Sequence, residues 1–236
     1  MELHGDRMFA DDKAICGGIA LLDGLPVTVI GHDKGRDLEE RKQTNFAMAH
    51  PEGYHKALRL AHQAEKFGRP IVFFVDTPGA FCGIGAEERG QSGAIAQCLF
   101  ELIDVKVPMV MVVIGEGGSG GALALGVCDR VAMLSNALYS ILSPKGFASL
   151  VWKDPQREDE AADIMKITPE DLKELGVIDE IIPEAPGGAH RNHRLTATNL
   201  KRYIVSAIDG LRQMPLQQLL DTRYDKFRKM GQFNEN

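Results

Sequence analysis

"VPMVMVVIGEGGSGGALALG", residues 107–126, carries the reading of the fold. Val107 to Ile114 is a continuous apolar run, the pattern of a strand covered on both faces. Five glycines then fall in the seven residues from Gly115 to Gly121, and "GALALGV" after them reads as a short helix. Strand, glycine turn and helix in that order open a parallel βαβ unit.

The glycines admit three readings. As G-x-G-x-x-G (Gly115, Gly117, Gly120) they match a dinucleotide-binding fingerprint in the correct strand-to-helix setting. The acid expected about 20 residues further on is missing, because Asp129 comes too early. As a helix start with bare backbone they form an oxyanion hole. Early helical amides lack acceptors and carry partial positive charge, and glycine lets a substrate carbonyl come close. As a turn that tolerates only glycine they are structural. Ser119 suggests a nucleophile, but no G-x-S-x-G elbow surrounds it, so it reads as a loop or cap residue. "DTPG", from Asp76 to Gly79, looks like a switch motif of GTPases. No G-x-x-x-x-G-K-[ST] accompanies it, and Asp76 reads as a strand-end carboxylate capping the next loop.

Outward from this centre the alternation continues. "IVFFVD" is a second buried strand, followed by a Gly-rich loop, "TPGAFCGIGAEERGQSG", and a helix to about Leu102. Upstream, "PEGYHKALRLAHQAEKFGRP" is a helix with Tyr54, Ala57, Leu58, Ala61, Ala64 and Phe67 on one face, ended by Gly68 and Pro70. "AICGGIALLDGLPVTVIGH" is two strands turning at Asp23-Gly24, and "DKGRDLEERKQTNF" is a polar surface loop. Downstream, "RVAML" and "LYSIL" are short strands, and "SPKGFASLVW" starts a helix at Ser143. In "TPEDLKELGVIDEII" Thr168 caps, Pro169 opens a helix and Gly176 stops it before a strand. Beyond "PEAPGGAHRNH" the chain reads as helical to its end, with a break near Pro215. The expected architecture is a single α/β domain over 1–236, with a core of about 1–192 and a helical C-terminal arm of about 193–236.

A net charge of −6 argues against general binding to nucleic acid or anionic membranes. The four cysteines form no C-x-x-C pair, which fits free thiols in a reducing compartment and gives no zinc signature. The charged N-terminus is unlike a secretory signal, and the longest apolar run is far too short to cross a bilayer. These features predict a soluble cytoplasmic protein.

Six segments occur in a characteristic order: "GHDKGRD", "HPEGYHKALRLA", "DTPGAFCGIGAEERGQSGAIA", "GEGGSGGALALGVCDRVAML", "SPKGFASLVWKD" and "LKELGVIDEIIPEAPGGAHRN". Together they closely resemble the carboxyltransferase alpha-subunit family of bacterial acetyl-CoA carboxylases, from Glu2 to about Asn192, with a weaker match along the C-terminal helices. The resemblance implies a crotonase (ClpP-like) spiral of stacked ββα/βαβ units. It implies transfer of a carboxyl group from carboxybiotin, borne by the biotin carboxyl carrier protein, to acetyl-CoA, giving malonyl-CoA for fatty acid synthesis. It also implies a beta-subunit partner carrying a zinc ribbon, an α2β2 assembly and biotin carboxylase in the full complex, with no metal in this chain.

In that chemistry negative charge develops on the biotin ureido oxygen and on the thioester oxygen, and the biotin anion can itself take the methyl proton. The family pattern puts Gly120, Gly121 and Ala122 at an amide oxyanion hole, with Gly117 and Gly118 shaping the approach or only permitting a turn. Gly79, Ala80 and Phe81 would wall the biotin cavity, and Glu87, Glu88 and Arg89 would join them or form a solvated helical turn. His32, Lys34 and Arg36 would contact an anion such as a CoA phosphate, or be plain surface charge. His190 lies in an ordered loop without an assigned role.

The family commonly has Glu where Lys145 stands, Gly where Ala47 stands, and an aromatic followed by Pro where Phe81-Cys82 stands. It also carries a helical extension ahead of the point where this sequence starts. Alternatives are a biotin-dependent acyl-CoA or malonate decarboxylase subunit, a ClpP-like serine hydrolase using Ser119 or Ser143 with a histidine, and a non-catalytic scaffold.

Overall fold

The computed structural model describes residues 1–231. The helix expected to run to the chain end lies, for 232–236, outside the described residues. The hairpin at Asp23-Gly24 forms as expected from β1 (Ile15–Leu22) and β2 (Leu25–His32). The polar segment after it is not all loop. It holds α1 (Leu38–Gln43), because the Asp37 carboxylate caps the Glu40 amide at 2.9 Å and acids fill the first turn. It buries nothing, so periodicity had no signal to offer.

α2 (Pro51–Lys66) buries Tyr54, Ala57, Leu58, Ala61 and Ala64, but Phe67 caps the helix and points outward, 62% exposed. β3 (Ile71–Thr77) leads into the Gly-rich loop, which contains an unexpected short helix, α3 (Ile84–Glu88), before α4 (Gln91–Leu102). β4 (Met109–Gly118) runs on through the first glycines, and α5 (Ser119–Leu123) is correspondingly short. β5 (Arg130–Leu134) and β6 (Leu138–Ser140) follow, the latter two residues shorter than the apolar run suggested.

The helix begun by Ser143 is α6 (Pro144–Phe147), continued as a π-helical turn over Ala148–Trp152. α7 (Glu158–Met165), α8 (Pro169–Glu174) and β7 (Glu180–Ile182) complete the core. Thr168 caps α8 as its sequence requires. α9 (His193–Arg212) and α10 (Leu216–Arg228) break at Pro215 as expected.

One sheet runs in the order β1-β2-β3-β4-β5-β7, parallel except for the β1–β2 hairpin, with β6 added beside β4. β4 serves two partners. Val110 to Val113 pair with β5, whereas Glu116 to Gly118 pair with β6. At its glycine end the strand thus exchanges β5 for β6 while Gly117 still pairs with Thr77 of β3, which is why those residues are extended rather than helical. Met109 to Val113 of β4 are fully buried, and α9 and α10 add Ile204, Ile208, Leu211 and Leu219 to the same core.

α10 is tied down by Arg223, which is wholly buried. Its guanidinium pairs with both oxygens of Asp129 at 2.8 and 2.9 Å and donates to the carbonyls of Val105 (2.6 Å) and Val107 (3.0 Å). No helix among the described residues is long and apolar enough to cross a membrane.

Candidate active site

The tip of β4 and the start of α5 meet the loop after β3, and the meeting is backbone against backbone. A Cβ on Gly121 would lie 2.6 Å from the Ala80 nitrogen, and one on Gly118 would strike the Pro78 carbonyl. Two glycines of the cluster thus exist because two main chains touch. Gly120 is different: its nearest neighbour would be the Ile95 side chain, at 3.4 Å.

Ser119 opens α5 with φ +49°, a left-handed conformation that costs a non-glycine residue about 1 kcal/mol. Its position leaves Ser119, Gly120 and Gly121 without helical acceptors. Ala122 follows them in the first turn of the helix. The amides of Gly120 and Gly121 donate to no protein group among the described residues.

Two hollows flank this segment. One, of about 320 Å³, is lined by Ser119, Gly120, Leu123, Tyr139, Ile141 and Val177 and is predominantly apolar. The other, of about 200 Å³, is lined by Pro78, Glu116, Gly117, Gly118, Leu138 and Ser143. Of the residues expected at the site, Gly117, Gly118 and Gly120 therefore open onto hollows. Gly121 and Ala122 lie buried directly beneath. Tyr139 closes the first hollow from below, and burial pushes its hydroxyl up to about 12, so it stays neutral.

Gly79 and Ala80 stand against Gly118 and Gly121, as expected of a cavity wall. The loop is pinned by Thr77, whose Oγ1 accepts the Gly79 amide at 3.1 Å and donates to the Ala47 carbonyl at 2.6 Å. Phe81 turns away to stack on His50, with ring centroids 4.5 Å apart. Gln91 holds it there by donating to the carbonyls of Phe81 and Ala49. Of the "EER" triplet, Glu87 and Glu88 are solvated, while Arg89 pairs with the buried Glu52 of α2.

His32, Lys34 and Arg36 do not form one cationic cluster. The His32 ring is buried with neither nitrogen hydrogen-bonded, and burial pushes its pKa down to about 4, so it carries no charge near neutrality. Arg36 is paired with Glu40 at 2.8 Å on a separate hollow. Lys34 does reach the glycine strand, but its ammonium is held by Asp76 (3.0 Å) and Glu116 (2.7 Å). Burial works against that charge, and the two carboxylates outweigh it, leaving the Lys34 pKa above its usual value. Asp76 and Glu116 were not visible as partners of Lys34 in the sequence, because 42 and 82 residues separate them from it.

Neither candidate serine has a base. Ser143 Oγ accepts the Gly146 amide as a helix cap, and neither Ser119 nor Ser143 bonds a histidine among the described residues. Lys145 is exposed in α6, and His190, expected in a loop, is exposed on a 3-10 turn over Ala189–Arg191. No group of three or more His, Cys, Asp or Glu side chains among the described residues is arranged to hold a metal ion.

Comparison with known proteins gives the family and the fold. Residues 1–231 match the family described as acetyl co-enzyme A carboxylase carboxyltransferase-like. The acetyl-coenzyme A carboxylase carboxyl transferase subunit alpha of Clostridium perfringens (strain SM101 / Type A) is 60% identical, over 98% of this chain and 85% of its own. That of Geobacillus kaustophilus is 57% identical, over 98% of this chain and 71% of its own.

Among solved structures, a Pseudomonas malonate decarboxylase hetero-tetramer in complex with coenzyme A superposes with TM-score 0.71 at 18% identity, covering 89% of this chain and 84% of that one. The transcarboxylase 12S structure with methylmalonyl-coenzyme A bound gives 0.69 at 20%, covering 83% and 36%. At such identities the likeness is one of fold, and it is the crotonase-like fold that the sequence motifs implied.

Proposed function

The chain belongs to the acetyl co-enzyme A carboxylase carboxyltransferase family, and from that premise we propose that its glycine segment is the biotin half of the active site. On this reading the chain is the alpha subunit, moving a carboxyl group from carboxybiotin to acetyl-CoA to give malonyl-CoA. The observation that carries it is the Gly120 amide, which has no protein acceptor and opens onto an apolar hollow. An apolar wall with backbone donors at one end suits a bicyclic ureido ring, which has a flat hydrocarbon edge and one strong acceptor oxygen.

Bound carboxybiotin supplies the carboxyl group and, once that group has left, a basic ureido anion able to take the methyl proton of acetyl-CoA. The amides of Gly120 and Gly121 donate to the oxygen on which that charge collects. Gly117 and Gly118 line the second hollow, and the Gly79-Ala80 wall excludes water. Donors fixed in a dry site are worth about 3 kcal/mol each when charge develops, and they need no side-chain base. The absence of a histidine partner for Ser119 is consistent with that mechanism.

The acyl-CoA half of the site is assigned to a beta subunit bearing zinc. The carboxyl arrives on the biotin carboxyl carrier protein, charged by biotin carboxylase, in a cytoplasmic α2β2 complex. The 1–236 chain acts as one carboxyltransferase domain. The test is the reverse reaction, malonyl-CoA decarboxylation coupled to biocytin carboxylation, with and without a purified beta subunit. Turnover only in the mixture is expected. A stable complex that turns over neither substrate contradicts the assignment.

A further inference from the structure

β3 and β4 fall out of step just before the glycines. Val75 pairs with Val113 and Thr77 with Gly117, so Asp76 alone faces Ile114, Gly115 and Glu116. Two extra residues on one strand make a bulge, and a bulge re-aims whatever follows it. Here it turns β4 away from β5 and onto β6, delivering Gly117 to Gly120 to the two hollows.

A bulge leaves ladder groups without strand partners, and a side chain supplies one. Asp76 Oδ1 accepts the Glu116 amide at 3.0 Å. The carboxyl group fills the space a side chain at position 115 would need, 2.6 Å from an ideal Cβ, which is why that residue is glycine. The same Oδ1 binds Lys34 Nζ, and Lys34 reaches across to Glu116 Oε2. Three side chains from three separate strands or loops thus converge on one bulge, each within hydrogen-bond distance of the next.

We infer that Lys34, Asp76 and Glu116 form a positioning brace for carboxyl transfer, setting the aim of the Gly120 and Gly121 amides without touching substrate. The inference rests on the carboxyltransferase reading. Misplacing a donor by about 1 Å can cost on the order of 100-fold in rate, and the loss falls on the transition state rather than on ground-state binding. Lys34 and Glu116 are partly exposed, so their substitution leaves the core intact.

The experiment compares Asp76→Ala, Asp76→Asn, Lys34→Met and Glu116→Gln in the complex with the beta subunit. It reads kcat and KM for malonyl-CoA with biocytin, and amide hydrogen exchange over 113–121. Asp76→Ala and Lys34→Met are expected to lower kcat roughly 10- to 100-fold, with KM within about twofold, and to speed exchange in that segment alone. Asp76→Asn, which keeps an acceptor for the Glu116 amide, is expected to recover most of the kcat lost in Asp76→Ala.

Unchanged kcat in Lys34→Met and Asp76→Ala, or a loss carried by KM, overturns the brace. An inactive wild-type complex overturns the carboxyltransferase reading instead. In that event exchange decides: acceleration confined to 113–121 supports the brace, and unchanged exchange overturns it.

Discussion

His32 was singled out by its place in "GHDKGRD" as a possible anion contact, and the structure makes it a buried neutral ring. A histidine whose folded pKa lies at about 4, against an ordinary 6.5, binds its proton more readily when unfolded. Its contribution to stability is whole above pH 6.5 and is lost as pH falls toward 4, by up to about 3 kcal/mol. Denaturant unfolding of wild type and His32→Leu across that window is expected to show the wild type losing stability more steeply by that amount.

Ala47 makes a second residue-scale case. It is buried with φ +64°, the last of three successive left-handed residues. Ala47→Gly is expected to gain up to about 1 kcal/mol, read as a raised denaturation midpoint, because the methyl strain is relieved.

At the scale of elements, the glycine segment divides by what each residue faces. Gly118→Ala and Gly121→Ala push a methyl into the Pro78–Ala80 backbone and are expected to destabilise the fold by about 1–3 kcal/mol. Gly120→Ala meets only a movable Ile95 side chain and is expected to fold with unaltered or slightly raised stability. Thermal unfolding of the three variants distinguishes them. The Arg223 anchor of α10 gives the largest expected loss. Arg223→Met strands the Asp129 carboxylate inside the protein, at a cost of about 3–5 kcal/mol in denaturant titration.

Much of this level was legible beforehand, for physical reasons. Buried parallel strands such as Ile71–Val75 and Met109–Ile114 announce themselves as unbroken apolar runs, and α8 carries its own cap, proline and stop. The reach of β4 through Gly118 was not legible, because it depends on β6, whose pairing lies beyond any local window. Helix α1 was missed because it covers no core and shows no apolar period. The fate of Lys34 was hidden for the same reason as β4: its partners are chosen by the sheet, not by the neighbouring sequence. Family motifs brought the glycines forward as a site, but only the folded backbone shows that Gly118 and Gly121 pack on Pro78–Ala80 whereas Gly120 does not.

At the scale of the whole molecule, one sheet brings the glycine tip of β4, the Gly79-Ala80 wall and the Lys34 brace to one end. The C-terminal helices are packed into the same core. On the proposed reading the site is built from main-chain amides, so side-chain scanning alone would leave its central donors unprobed. The most direct measurement replaces the Gly120 and Gly121 amides, one at a time, with ester linkages and reads kcat for malonyl-CoA and biocytin in the complex with the beta subunit. Exchange of N–H for oxygen at either position is predicted to lower kcat roughly 100-fold with KM little changed. Ester variants that assemble normally and turn over at the wild-type rate would contradict the account.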